Sequence, residues 1–247
     1  MAHAASSAIQ SWLDGCSTNP PQLDAVNHSV ISANLQNDVY GMYYSALVSL
    51  ADAIYGASKG RFSWSIVKLY YSCFYSARAV LGANGIAIFY DGSKPRSLDV
   101  TLHSSPVNQR GTTHKLVWKV IRSRLSNISI LGEISGENAE EWFMRIREDV
   151  NYRTPKFIDP IVPAPFYELD RVGIDKSIMN YCSDISYNYC FDADHAIVAF
   201  PIECLKFSVN SLTRVGLHLE EADKEHVLGI LSAAGINVNS VGGALWR

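Results

Sequence analysis

The chain reads as an all-α protein. Three observations predict this. Apolar residues recur three and four apart over several long stretches, breaks rich in Gly, Pro and Ser separate them, and neither strand-and-helix alternation nor an internal repeat interrupts the pattern.

In chain order, Ile9, Trp12 and Leu13 mark a short first helix, stopped by Gly15 and by Asn19-Pro20-Pro21. A long helix follows from Asp24 to Ile54, where Val39, Tyr43, Ala46, Leu50 and Ile54 hold one face. Gly56, Ser58 and Gly60 break it. From Ser63 to Ala83, the residues Ile66, Leu69, Tyr70, Cys73, Phe74, Ala77, Val80 and Leu81 form a broad apolar face, and Lys68, Tyr71, Tyr75 and Arg78 form a second stripe beside it. Residues 84–112 read as an irregular excursion with one short apolar piece, Ile86–Tyr90. Thr112 or Thr113 then caps a helix through Leu125, with Leu116, Val117, Val120 and Ile121 inward and His114, Lys115, Lys119, Arg122 and Arg124 on the other side. After Gly132–Gly136 comes a helix with Ala139, Trp142, Ile146 and Val150 inward and Arg147, Asn151, Tyr152 and Arg153 on its far side and end. Four prolines (Pro155, Pro160, Pro163, Pro165) mark a subdomain boundary. Beyond it, Asp175–Cys190, Asp194–Gly216 and Glu220–Ala234 read as helices, the middle one interrupted at Pro201. The last dozen residues form a tail that docks through Leu245 and Trp246 or frays. The division that results is an N-terminal extension (1–22), a helical bundle (23–158) and a C-terminal helical extension (159–247).

At 247 residues, 48% of them hydrophobic, the chain can bury a substantial core. No apolar run reaches the roughly 18 residues of a membrane span, and the first residues lack the pattern of a signal peptide. Five cysteines without a Cys-x-x-Cys pair argue against a disulfide framework and suit a reducing cytoplasm. Residues 1–58 hold four acids and no Lys or Arg, residues 59–124 eleven bases against two acids, and residues 125–247 ten bases against eighteen acids. A basic centre in an acidic chain suits an anionic partner such as RNA or nucleotide, and equally suits docking of the basic segment on the acidic ones.

Most catalytic motifs are missing. There is no glycine-rich phosphate loop, no His-Glu-x-x-His, no zinc-spaced Cys and His cluster and no Gly-x-Ser-x-Gly elbow. Neither a metal nor a cofactor is expected.

What remains carries a resemblance. The segment Lys68-Leu-Tyr-Tyr-Ser-Cys-Phe-Tyr-Ser-Ala-Arg-Ala-Val-Leu81 with a turn at Gly82–Gly85, the helix opening Thr113-His114-Lys115, and Arg147-Glu-Asp-Val-Asn151-Tyr152-Arg153 resemble successive helices of HEPN domains, over about residues 24–158. The resemblance implies an up-and-down helical bundle that forms a homodimer and serves a bacterial defence or toxin–antitoxin system. It also implies binding of RNA or nucleotide, with metal-independent ribonuclease activity in active members. There a general base takes the 2′-hydroxyl proton and a cation stabilises the phosphate. No His lies four to six residues after Arg145 or Arg147, however; Asp149, Val150, Asn151, Tyr152 and Arg153 occupy those places. Asn cannot act as a base, and Tyr, with a pKa near 10, is a poor one.

The candidate catalytic residues are therefore Arg147, Asn151, Tyr152 and, from the neighbouring helix, His114. Lys68, Tyr75, Arg78, Lys115, Lys119 and Arg122 are the candidate nucleic-acid or nucleotide contacts. On a regular helix Arg147 and Asn151 share a face, whereas Arg147 and Tyr152 stand about 140° apart, so a site using both needs a frayed helix end or a second protomer. Structural roles compete with these: a polar helix cap for Arg147, Asn151 and Tyr152, a snorkelling stripe for Lys68, Tyr71, Tyr75 and Arg78, and a solvated first turn for His114. A non-catalytic subunit that binds a partner protein through its acidic C-terminal helices is the alternative function.

Overall fold

The computed structural model describes residues 3–17, 21–125, 128–153 and 155–246. Asn19 and Pro20, expected to stop the first helix, lie outside them, as does Thr154. The chain is mostly helical, with ten α-helices among the described residues. They are α1 (Ala4–Asp14), α2 (Ala25–Ser58), α3 (Phe62–Ala83), α4 (Thr113–Arg124), α5 (Ala139–Glu148), α6 (Tyr167–Val172), α7 (Ile174–Ser183), α8 (Ala196–Arg214), α9 (Glu221–Ala233) and α10 (Val238–Trp246).

The centre is the α2–α3 hairpin. Asp24 caps α2 by accepting from the backbone N–H of Asn27 at 2.9 Å. Gly60, at φ 69°, makes the reversal into α3. Two glycines let the helices touch: a Cβ on Gly56 would stand 2.7 Å from Ser65 Oγ, and one on Gly82 would stand 2.4 Å from Val39 Cγ2. In between, Ser72 Oγ donates to the Ala46 carbonyl at 2.9 Å. Helix α8 closes the other side of α3, where Ser208 Oγ donates to the Ser76 carbonyl at 3.1 Å.

Residues 84–112 are not the irregular excursion expected. Strands β1 (Ile86–Asp91) and β2 (Lys94–Asp99) form an antiparallel hairpin in register Ile86 with Asp99, and β3 (Val107–Asn108) adds to β2. Gly92, at φ 60°, makes the turn. The hairpin's Phe89 and Leu98 share a small core with Ile9 and Trp12 of α1 and with Ile31 and Leu35 of α2. Strands β4 (Glu133–Ile134) and β5 (Glu137–Asn138) form a second small ribbon before α5.

Two C-terminal expectations are corrected, and of the two alternatives for the tail, docking through Leu245 holds. Helix α7 stops at Ser183, well short of Cys190, because Asp184 turns the chain by accepting from the backbone N–H groups of Ser186 and Tyr189 at 3.0 and 3.1 Å. Helix α8 runs through Pro201, which stands near enough to its start that one missing N–H does not break it. The tail forms α10, and its Leu245 is fully buried. Residues of the bundle and of the C-terminal helices, from Val39 to Leu245, share one core. By length and composition α8 alone among the described residues could cross a membrane, but most of it is buried in that core. Cys73, Cys182, Cys190 and Cys204 are buried thiols.

Candidate functional site

Three helices bring together residues that lie far apart in the chain. Tyr70 stands on the buried side of α3, only 2% exposed, and its hydroxyl lies 2.7 Å from Nδ1 of His114 on α4. The imidazole packs on the Phe74 ring at 4.5 Å between centroids. His114 is thus half-buried, not the solvated residue expected of a first helical turn. Burial holds its pKa below the ordinary value, and the positive charges of Arg147 and Arg78 push the same way against Glu148. The ring is neutral at pH 7.

Arg147 is the second surprise. It was expected on the far, polar side of its helix, yet it is 9% exposed, with its guanidinium 4.9 Å from the centre of the Tyr70 ring and 5.7 Å from that of Tyr152. Its Nε finds no hydrogen-bond partner, and among the described residues no carboxylate pairs with it. A buried cation without a counter-charge is costly. The end of the helix explains how Tyr152 reaches it. Residues Asp149–Arg153 form a π-helical turn, whose i to i+5 spacing matches the five-residue step from Arg147 to Tyr152. No frayed end or second protomer is needed to bring them together. Tyr152 itself is 75% exposed, and Asn151 is half-buried.

A cleft of about 600 Å³ opens beside this cluster, bounded by Tyr70, His114, Lys115, Trp118 and Lys119, with Arg110 and Met144 at its edges. Lys115 and Lys119 lie one turn apart on the exposed side of α4. Neither they nor Arg110 form an ion pair among the described residues. Arg122 also lines the cleft, but its Nε and Nη2 donate to both oxygens of Glu140 at 2.7 and 2.8 Å. Glu140 is 6% exposed, so this fork ties α4 to α5 and leaves Arg122 less free for a ligand.

The remaining predicted contacts lie elsewhere. Lys68 pairs with Asp52 at 2.9 Å near the surface. Tyr75 stacks on Tyr71 at 5.9 Å. Arg78 Nη1 donates to His3 Nε2 at 2.9 Å, beneath the first helix and away from the cleft. Tyr70 was not among the predicted site residues. Its signal was a hydroxyl on an apolar face, which needs a partner when buried.

The arrangement favours binding an anion. Burial raises the Tyr70 pKa far above its ordinary value, so its hydroxyl keeps its proton and either gives it to His114 Nδ1 or accepts from Nδ1–H, according to the tautomer. In the first case the neutral imidazole carries its own proton on Nε2 and is a donor there. General-base chemistry at Nε2 would require the other tautomer. Among the described residues, no group of three His, Cys, Asp or Glu side chains is placed to hold a metal ion. No protein-family model, curated protein or solved structure matches the chain.

Proposed function

We propose that the α3–α4–α5 cleft binds the phosphate of RNA or of a nucleotide. The observation that carries this reading is the buried Arg147 behind the Tyr70 wall of the cleft, whose Nε has no partner and whose guanidinium stands against the same tyrosine that His114 contacts. Lys115, Lys119 and Arg110 supply unpaired positive charge along the cleft. The resemblance to HEPN domains points the same way and extends the proposal to a homodimer in a defence or toxin–antitoxin system. The Tyr70–His114 bond admits both forms of the reading: with Tyr70 donating, Nε2–H is a donor and the cleft binds without turnover, and with Nδ1–H donating, Nε2 is free to act as a base.

The test is binding of labelled single-stranded RNA and of mononucleotides, in EDTA, across a salt series. Affinity should fall with salt and drop about tenfold or more in Arg147→Ala and in His114→Ala, the loss of one charge-assisted contact each. RNA that stays intact identifies a binding module. Cleavage in EDTA that is lost in both variants would show that His114 reaches the base tautomer. No affinity for either ligand would refute the proposal and return attention to the acidic C-terminal helices as a protein-docking surface.

A further inference from the structure

A second tyrosine–histidine pair lies in the C-terminal part of the chain, with a pocket of its own. Tyr181, on the buried face of α7, places its hydroxyl 3.0 Å from Nδ1 of His195, which immediately precedes α8. The Tyr189 ring closes the third side, 4.9 Å from the imidazole and 5.4 Å from Tyr181. The loop that carries Tyr189 is held in place: Asp184 accepts from its backbone N–H at 3.1 Å and from Asn188 Nδ2 at 3.2 Å, and Lys206 Nζ donates to the Asp184 carbonyl at 2.5 Å. The half-open pocket beside these rings has a volume of about 290 Å³.

Among its charged groups, Arg171 and Lys176 stand against Glu168. Burial pushes the Tyr181 hydroxyl up to about 12, so it stays protonated; with that hydrogen directed at Nδ1, His195 presents an N–H at Nε2. Lys176 and Asn180, one turn apart on α7, stand at the rim. Lys176 has no ion-pair partner among the described residues. The pocket's carboxylate, Glu168, is already held by Arg171 through Nε and Nη2 at 2.5–3.0 Å. What remains is an aromatic-walled pocket with one unbalanced cation, Lys176, beside the Asn180 amide and the His195 ring.

We infer that this pocket is a binding site for a compact organic anion, a phosphomonoester or carboxylate, with its oxyanion between Lys176 and His195 Nε2 and its body against Tyr189. The inference is independent of the α3–α4–α5 cleft, since it uses none of that cleft's residues.

The experiment is a titration of the full-length protein with phenyl phosphate and, in parallel, benzoate, following the His195 imidazole by ¹⁵N NMR, with benzamidine as a cation control. A saturable shift at His195 with either anion, weakened about tenfold in Lys176→Ala, is expected. The anion that saturates identifies the headgroup. Lys176 is exposed, so its replacement spares the core. His195→Gln, followed through the Tyr189 ring signals, serves as a second variant that should weaken binding. A linear, unsaturating response to both anions, affinity unchanged in both variants, or saturation by benzamidine alone would overturn the inference.

Discussion

Tyr70 and Tyr181 do the same job at two places. Each is a buried phenol hydrogen-bonded to the Nδ1 of a neighbouring histidine, at 2.7 Å and 3.0 Å, and each thereby couples its hydroxyl to the choice of imidazole tautomer. The electrostatics around His114 add a pH dependence whose sign can be worked out. Its folded pKa is lowered, so between that value and the unfolded value of about 6.5 the unfolded chain binds more protons. Stability is therefore full above about pH 6.5 and falls as pH drops through that value toward the lowered one. His3 acts in the same sense: burial lowers its pKa first and Arg78 second, against Asp38. Urea midpoints should decline between pH 7 and 5, and the decline should be shallower in a His3→Gln, His114→Gln double variant. By the same electrostatics, Arg147→Ala should move the His114 titration midpoint upward, and Arg147→Lys, which keeps the charge, should not. An NMR midpoint unmoved by Arg147→Ala would show that Arg147 is not felt at the imidazole. The sequence named Arg147 and His114 but not the residue that joins them. Tyr70 belongs to an apolar stripe, and periodicity cannot tell a core tyrosine from one that orients a histidine. Nor could a regular helix bring Tyr152 to Arg147; that contact depends on a π turn with no residue signature of its own.

At the scale of elements, the close α2–α3 contact rests on glycines that differ in kind. Gly82→Ala would gain about 1 kcal/mol of helix propensity, but its Cβ would meet the buried, β-branched Val39 at 2.4 Å, an overpacking that costs about 1–3 kcal/mol. Gly41, in α2, meets nothing within 4 Å, so alanine there should stabilise by about 0.5–1 kcal/mol. Denaturant midpoints should therefore move in opposite directions for the two variants, and a gain in both would mean that the helices separate freely at Gly82. The helices themselves were legible because their apolar spacing is regular: Val39 through Ile54 and Ile66 through Leu81 are buried as the pattern requires. The β1–β2 hairpin was not legible for a physical reason. Strand β2 opens Lys94-Pro95-Arg96-Ser97 and buries its apolar side only at Leu98, so it lacks the period-two alternation that signals a strand. The short apolar run at Ile86–Tyr90 was visible, but without a recognisable partner it could not be paired. Helix α7 was read too long because Tyr187, Tyr189 and Cys190 continue its apolar character past the Asp184 turn.

At the scale of the whole molecule, the C-terminal helices support the cleft from behind. Phe200 of α8 is fully buried, and its ring lies 5.4 Å from Phe143 of α5 and 6.5 Å from Trp118 of α4. Trp118 is also a wall of the cleft. The acidic tail end of the chain is therefore coupled by packing to the basic centre, and removing residues 166–247 to test partner binding would remove that support. A point change is the better probe. Phe200→Ala should cost about 3–5 kcal/mol, a large share of the 5–15 kcal/mol that a typical domain has. Because α8 shares one core with α2, α3, α4 and α5, the variant should still unfold in a single transition, with far-ultraviolet dichroism and tryptophan fluorescence moving together. Where it remains folded, the His114 signals should shift, since Trp118, on the same helix as the imidazole, has lost its backing. Two separated transitions, with the His114 signals untouched, would instead mean that α8 belongs to a unit that folds apart from the cleft.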